Sequence, residues 1–359
     1  MANYFSERDK KVTARLRELR DTLPEFCEEF FVGIEPLTTS LTRLYYAYDL
    51  RIFFDYLMQN VRAFRGYKDM TEFTVSDLEK ITSQNLEAYM EYLSLYEFDG
   101  KEYTNGEKGK ARKISTVRTF FKYYFNHDRI SANVAAKLTM PKQHDKEIIR
   151  LEEREITRIL DVAENGEGLS EHQRKIQRNT RYRDVAILTL LLGTGIRVSE
   201  CVGLNLTDID FSTNAFTVTR KGGNRAILYF GDEVANALTE YINGERAGLV
   251  NRCEKLAPGD TDALFLSLQV KRISVRAVEN LVKKYAVEAS PLKKISPHKL
   301  RSTFGTNLYR ATGDIYMVAD VLGHRDVNTT KKHYAAIEED HRKIASQVIK
   351  LREKEEASD

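Results

Sequence analysis

Cysteine is scarce in this 359-residue chain, which limits the kinds of framework and metal site that it can contain. The three cysteines, Cys27, Cys201 and Cys253, form no CxxC pair and show no other metal-ligand spacing. An odd number of scattered cysteines suits a reducing compartment better than a disulfide framework. We therefore expect a cytoplasmic protein whose core needs no covalent staple.

Long apolar runs are also missing. The longest, near residues 185–192, is far too short to cross a bilayer. The first residues, MANYFSERDKK, lack the apolar centre of a signal peptide. We expect no membrane role.

Charge is nearly balanced overall but not locally. The formal net charge is only +3, yet residues 108–122 contain six basic residues and no acidic one. These six are Lys108, Lys110, Arg112, Lys113, Arg118 and Lys122. Residues 271–310 carry ten basic residues against two acidic ones. Because solvated faces normally mix signs, runs of one sign favour a nucleic-acid surface, and we assign DNA binding to the six residues of the first run.

The chain is longer than a usual single domain, so two domains are expected. The spacing of apolar residues predicts helices over 40–64, 78–96 and 114–127. After Met140 the charged stretch PKQHDKE shows no apolar period. We therefore predict a helical DNA-binding domain over 1–140 and a linker over 141–150.

The second part begins with helical patterns at 152–164 and 185–204, separated by a polar insertion at 165–183. Residues 208–230 then show short β-branched runs broken by turn residues, which predicts a small antiparallel sheet. Helices resume afterwards. The predicted fold is mainly α with a small antiparallel sheet, with an α+β domain over 151–336 and a helical tail over 337–359.

Isolated polar residues stand beside apolar helix in GTGIRVSE, TRKGGN, SPHKLR and LGHRDV, and a tyrosine follows in KKHY. The residues are Arg197, Lys221, His298, Arg301, His324 and Tyr334. Each has an ordinary structural explanation when taken alone; Arg197, for example, can pair with Glu200. Together they form a set suited to phosphoryl transfer without a metal.

The reason is electrostatic. A phosphodiester under attack gains negative charge on its non-bridging oxygens, and guanidiniums grip these oxygens through paired donors. Arg197 and Arg301 suit that role, and His324 can add a hydrogen bond.

A tyrosine hydroxyl is mostly protonated at neutral pH, so attack by Tyr334 needs a base, for which His298 is the candidate. The departing sugar oxygen needs a proton, which Lys221 at a β-turn can supply.

The ordered motifs ILTLLLGTGIRVSE, RKGGNR, SPHKLRSTFGTNL and LGHRDVNTTKKHY resemble those of tyrosine recombinases of the phage integrase and Xer family. ISTVRTFFKYYF resembles the core-binding domain of that family more weakly. Ser302 stands where a second histidine often follows the motif arginine, and Val134 where proline is common. Neither departure removes a catalytic group.

The resemblance implies a core-binding domain and a catalytic domain that form a C-shaped clamp on double-stranded DNA. It also implies a 3′-phosphotyrosyl link on Tyr334, a free 5′-hydroxyl and exchange through a Holliday junction. No cofactor or metal is implied. The expected assembly is a dimer on inverted-repeat half-sites and a tetramer in synapsis, with the tail docked on a neighbouring protomer. Integration, excision and resolution all stay open, as do a mobile-element origin, accessory DNA-bending or directionality factors, and association with a bacterial nucleoid.

Three other functions remain as alternatives. A type IB topoisomerase uses a similar set of residues to relax DNA without synapsis. A DNA-binding protein that has lost catalysis would keep the basic surfaces. A metal hydrolase could be built on His298, His324 and His333, although no cluster of carboxylates or HExxH spacing accompanies them.

Overall fold

A computed structural model of the chain describes residues 4–142, 149–220, 224–253, 260–324 and 327. The chain divides into two compact units, one of residues 2–146 and one made essentially of residues 147–359. The division falls inside the segment predicted as a linker. Each unit is mainly helical with a small antiparallel sheet; the sequence predicts the sheet of the second unit but not the hairpin of the first.

The first unit is a helical bundle with one β-hairpin. Its described α-helices are α1 (Tyr4–Arg20), α2 (Cys27–Gly33), α3 (Ser40–Asn60), α4 (Ser83–Tyr92) and α5 (Glu107–Asn126). Short 3₁₀ turns occupy Glu35–Leu37, Arg62–Phe64, Met70–Glu72, Val75–Lys80 and Val134–Lys137. The hairpin consists of β1 (Leu95–Phe98) and β2 (Lys101–Thr104).

The core of this unit is aromatic and lies between α3 and α5. Phe54 of α3 contacts Phe120 of α5 at a ring-centroid distance of 6.0 Å, and both are fully buried. Phe125, also on α5, is by contrast 43% exposed. At 100° per residue, position 125 lies about 140° from position 120, which turns its ring toward solvent.

The predicted helix over 78–96 is only partly confirmed, because it ends early and a hairpin follows. Thr82 caps the start of α4 by accepting a hydrogen bond from the Asn85 amide at 3.2 Å. After α4, the chain turns through Asp99 and Gly100, both with positive φ. An Asp-Gly pair between alternating side chains is the usual signature of a tight hairpin turn.

The second unit combines helices with a three-stranded sheet. Its described helices are α6 (Glu153–Asn165), α7 (Glu171–Arg178), α8 (Arg181–Thr194), α9 (Val198–Gly203), α10 (Asp232–Glu240), α11 (Ala247–Asn251), α12 (Val275–Ala289), α13 (Pro297–Thr312) and α14 (Ile315–Leu322). A π-helical segment, Tyr241–Arg246, joins α10 to α11. A 3₁₀ turn, Leu206–Asp208, leads into the sheet.

The predicted sheet within 208–230 is confirmed. Its strands are β3 (Ile209–Asp210), β4 (Ala215–Thr219) and β5 (Arg225–Tyr229), antiparallel in the order β3-β4-β5. The pairing of Thr219 with Arg225 closes the β4–β5 hairpin. The polar insertion at 165–183 contains α7, which begins at Ser170 with a capping box.

Helix α8 forms the centre of this unit. Ile187, Leu188, Leu190 and Leu191 are fully buried, so α8 packs on more than one side, as a central helix does. Among the described helices none is both long and apolar enough to cross a membrane. The tail predicted over 337–359 lies outside the described residues.

Candidate active site

The end of α8 places Arg197. Gly195 ends α8 in the left-handed conformation, with φ 62°, and a Cβ there would overlap the ring of Phe304. The turn that this glycine permits puts Arg197 at the N-cap of α9.

Glu200 fixes the orientation of Arg197. The Arg197 amide donates to Glu200 Oε2 at 3.0 Å, and Nη1 donates to Oε1 at 2.9 Å. The ion pair expected as the ordinary explanation of Arg197 is therefore present. It does not occupy the whole guanidinium, because Nη2 donates to the Gly323 carbonyl at 3.1 Å.

Arg301 joins the ends of two helices. It lies on α13 and is only 6% exposed. Its Nη1 donates to the Gly195 carbonyl after α8, and its Nη2 donates to the Leu322 carbonyl at the end of α14. The last carbonyls of a helix lack intrahelical partners and favour nearby cations, so Arg301 satisfies both ends.

Residues 321–324, which we call the carbonyl turn, receive both arginines. Gly323 has φ 60° and ends α14, and the His324 amide donates to the Ala319 carbonyl at 2.9 Å. A third arginine, Arg220, donates from Nη2 to the Val321 carbonyl at 3.0 Å. The three carbonyls that precede His324 in the carbonyl turn thus each accept a hydrogen bond from a different guanidinium.

The sequence did not single out Arg220. It follows β4, next to the predicted catalytic lysine, and resembles any solvated residue at a hairpin. Its partner Val321 lies 101 residues further along the chain. No local pattern indicates such a contact.

Of the remaining predicted catalytic residues, the structure describes His298 but not Lys221 or Tyr334. His298 lies exposed in the first turn of α13, one helical turn before Arg301. Ser302, at the position where the resemblance often has a histidine, donates its hydroxyl to the His298 carbonyl at 3.0 Å. Lys221 and Tyr334 lie outside the described residues, so their roles stay predictions.

The candidate DNA-binding surface of the first unit is one face of α5. Arg118 and Lys122, one helical turn apart, line a cleft with Ser115, Thr119 and Asn133. Such polar and basic residues suit phosphate oxygens. Lys108 is also exposed, near the start of α5.

Other members of this basic run have partners inside the unit. Lys113 is 6% exposed, and its Nζ donates to Asn105 Oδ1 at 3.0 Å. Burial lowers the pKa of its ammonium. Lys113 therefore does not share the outer face with Arg118 and Lys122, because its side chain points into the unit.

Arg112 and Lys110 also have internal partners. Arg112 Nη1 lies 2.5 Å from Oδ2 of the buried Asp49, which also accepts from Thr116 at 2.8 Å. Burial raises the pKa of Asp49, and the positive charge of Arg112 opposes that shift. Lys110 Nζ donates to Ser94 Oγ at 2.5 Å. A DNA contact from Arg112 would compete with its structural bond to Asp49.

The second basic run, 271–310, is largely used within its own unit. Six of its ten basic residues contact carboxylates or carbonyls: Arg272, Arg276, Lys284, Lys293, Arg301 and Arg310. Its excess of positive charge is therefore a weaker indicator of a DNA surface than the sequence suggests.

Metal binding receives no support from the part of the chain that the structure describes. Within it, no group of three or more His, Cys, Asp or Glu side chains is arranged to hold an ion. His333, which the metal-hydrolase alternative requires, lies outside that part.

Two kinds of comparison identify relatives of the chain. The sequence model of the phage integrase family matches residues 149–341. A tyrosine recombinase XerC of Caldanaerobacter subterraneus is 34% identical over 291 residues, which cover 80% of this chain and 75% of the relative. A tyrosine recombinase XerD of Bifidobacterium longum is 29% identical over 306 residues, covering 85% of this chain and 90% of the relative.

Solved structures show the same fold. A XerH site-specific recombinase bound to a palindromic difH substrate has a TM-score of 0.61 at 18% identity, covering 86% of this chain and 80% of that one. A lambda integrase dimer bound to a core site has a TM-score of 0.55 at 17% identity, covering 85% and 93%. The family match extends over the segments that carry Arg197, Arg301 and His324. The chain therefore belongs to the phage integrase family of tyrosine recombinases.

Proposed function

We propose that this tyrosine recombinase performs site-specific DNA recombination, with Tyr334 as its nucleophile. The Tyr334 hydroxyl oxygen forms a bond to the scissile phosphorus while the bond from phosphorus to the 5′ oxygen breaks. The products are a 3′-phosphotyrosyl link and a free 5′-hydroxyl. His298 accepts the phenol proton, and Lys221 donates a proton to the departing oxygen. The 5′-hydroxyl of a partner strand then attacks the phosphotyrosyl phosphorus, the bond from phosphorus to the Tyr334 oxygen breaks, and the exchanged strands are joined.

One observation carries the proposal. Arg197 and Arg301, from two different helices, meet at the carbonyl turn directly before His324. Carbonyl oxygens hold the same guanidinium donors that a phosphate would use. Two planar cations and an imidazole close together form a binding site for the non-bridging oxygens of a phosphodiester.

The surroundings of the two arginines strengthen this interaction. Glu200, itself 5% exposed, fixes Arg197 before DNA arrives, so little reorganisation is needed during reaction. Arg301 lies in a water-poor environment, where its attraction to a developing negative charge is larger than in solvent. These conditions favour stabilisation of the transition state over simple binding.

The partner is double-stranded DNA. Arg118 and Lys122 on α5 supply phosphate contacts from the first unit. A dimer on inverted-repeat half-sites and a tetramer in synapsis are the assemblies that strand exchange through a Holliday junction requires. Accessory DNA-bending or directionality factors and location on the bacterial nucleoid belong to the same proposal.

A covalent adduct tests the chemistry. Wild-type protein is incubated with a labelled, nicked site in the presence and absence of a chelator, and the products are separated on a denaturing gel. The proposal predicts a protein–DNA adduct that the chelator leaves unchanged. Loss of the adduct with chelator would favour a metal enzyme, and absence of any adduct would favour a non-catalytic DNA-binding protein.

A second assay separates recombination from topoisomerase activity. Two plasmid-borne sites should yield products with exchanged flanks. Relaxation of supercoils by an adduct-forming protein that produces no exchanged flanks would instead favour the type IB topoisomerase alternative.

A further inference from the structure

Three arginines bind the carbonyl turn. The proposed phosphate clamp, which consists of Arg197 and Arg301, requires only two of them. Arg220, Arg301 and Arg197 donate in turn to the carbonyls of Val321, Leu322 and Gly323. The three guanidiniums come from the end of β4, from α13 and from the N-cap of α9. Three separate elements are thereby fixed to one short segment.

Arg220 is packed tightly against this segment. A Cβ on Gly323 would overlap the Arg220 guanidinium, so this side chain occupies the space that only a glycine leaves open. The Arg220 Nε atom is buried and has no hydrogen-bond partner.

Such a placement costs free energy, because a buried donor without an acceptor forfeits its hydration. Two features offset that cost: the bond to the Val321 carbonyl and the negative end of the α14 dipole, which favours a nearby cation. The backbone of Arg220 is also fixed, since its amide donates to the Asn224 carbonyl at 2.8 Å. Arg220 therefore links the β4–β5 hairpin, through its backbone amide, to the end of α14, through its guanidinium.

We infer that Arg220 is a positioning residue of the reaction, which holds the carbonyl turn against the β4–β5 hairpin and so sets the position of His324. The inference rests on the proposed function. Arg220 acts through the turn: it fixes Val321 and packs on Gly323, and the next residue is the histidine that contacts the phosphate. A displacement of about 1 Å in such a group can reduce a rate by about 10²-fold.

The test is a double-mutant cycle on single-turnover cleavage of a nicked site. Arg220→Ala is expected to lower the cleavage rate by about 10²-fold while DNA affinity stays close to that of wild type. In a His324→Ala background, the same change should have a much smaller effect, because residues that act through one another are not additive. In an Arg118→Ala background, where the second site is in the other unit, the effects should multiply.

Two further variants serve as controls. Arg225→Ala removes an exposed positive charge from the same hairpin and should cleave at nearly the wild-type rate. Arg220→Lys keeps the charge but lacks the planar group that covers Gly323, so it should remain slower than wild type. Thermal unfolding checks that each variant folds, and if Arg220→Ala does not, the cycle is run with Arg220→Lys.

Some outcomes would overturn the inference. Full multiplication of the Arg220 and His324 effects would show that Arg220 acts independently of the turn. A wild-type rate for Arg220→Ala or Arg220→Lys would also contradict it. Failure of the proposed function is distinguishable, since wild-type protein would then form no covalent adduct.

Discussion

Arg197 and Arg301 differ in burial, so replacing each with alanine should reduce cleavage in both cases but stability to different extents. The Arg197 side chain is 36% exposed, so Arg197→Ala should still fold, although the buried Glu200 carboxylate loses its ion-pair partner. Its cleavage rate should fall by at least about 10²-fold, the loss typical of one preorganised donor. Single-turnover cleavage and half-site binding are measured together, with Arg197→Lys as the variant that retains charge. Wild-type cleavage by Arg197→Ala would remove this residue from the phosphate clamp.

Arg301→Ala should lose cleavage and stability together. Its removal leaves the carbonyls of Gly195 and Leu322 without this donor, at a cost of about 1–3 kcal/mol for each buried group left unsatisfied. Because Arg301 is buried and Arg197 is partly exposed, a larger fall in melting temperature is expected for Arg301→Ala than for Arg197→Ala. Equal melting temperatures for the two variants would contradict the structural role of Arg301.

Glu245 gives a pH dependence that does not involve the active site. Its carboxylate accepts the amides of Tyr182 and Arg183 at 3.1 and 3.4 Å, and its Oε1 is buried without a partner. Burial raises the pKa of Glu245 to about 7, above its ordinary 4.5. The folded state therefore binds more protons than the unfolded state between these values, and stability from this group falls as pH rises through that window.

Glu245→Gln should remove this dependence. The variant should gain stability over wild type at pH 8 relative to their difference at pH 5, because only the wild type must ionise a buried carboxyl. Urea midpoints at both pH values measure the difference. A constant difference between the two proteins across this range would show that Glu245 does not titrate there.

At the scale of elements, the outer face of α5 is predicted to bind DNA through Arg118 and Lys122. Replacing both with Ala should weaken binding and reduce the log–log salt slope by about 2, because each of the two side chains neutralises one phosphate. The matched control replaces Arg65 and Lys101, which are exposed and lie outside α5. An unchanged slope in the α5 variant would make that face an ordinary solvated surface.

The sequence predicts elements best where one apolar period dominates. Helices α3 and α5 and the sheet of β3, β4 and β5 were predicted because their apolar residues repeat at helical or strand spacing. The hairpin of β1 and β2 was missed although Asp99 and Gly100 mark its turn. The residues of both strands are mostly exposed. They therefore show no alternation of apolar and polar residues that would distinguish them from the preceding helix.

Contacts between residues that are far apart in the chain leave no local pattern in the sequence, so they could not be predicted from it. Arg112 and Lys113 appeared equivalent to their basic neighbours, yet one meets Asp49, 63 residues away, and the other points inward. The motifs identified Arg197 and Arg301 because a family pattern surrounds them. Arg220 is the first residue of the RKGGNR motif, but that motif indicated only Lys221 as a reactive group.

At the scale of the whole molecule, the tail predicted over 337–359 concerns assembly. It carries seven acidic residues against five basic ones, so we expect it to bind DNA poorly. The apolar residues of the tail repeat at helical spacings, which suits docking in a groove of another protomer; they are Ile337, Ile344, Val348 and Leu351.

Deleting residues 344–359 should leave affinity for one half-site nearly intact and reduce cooperative filling of two half-sites. Gel-shift titrations on one-half-site and two-half-site DNA measure this, and unchanged cooperativity would favour packing of the tail on its own domain.

The central claim is that Tyr334 is the nucleophile, and a nicked suicide substrate tests it most directly. Tyr334→Phe loses only the hydroxyl, so it should bind the site with nearly wild-type affinity because Arg197 and Arg301 remain. Wild-type protein should become covalently attached to the labelled strand, and Tyr334→Phe should give no covalent product under the same conditions. Covalent product from Tyr334→Phe would show that a different residue attacks the phosphate.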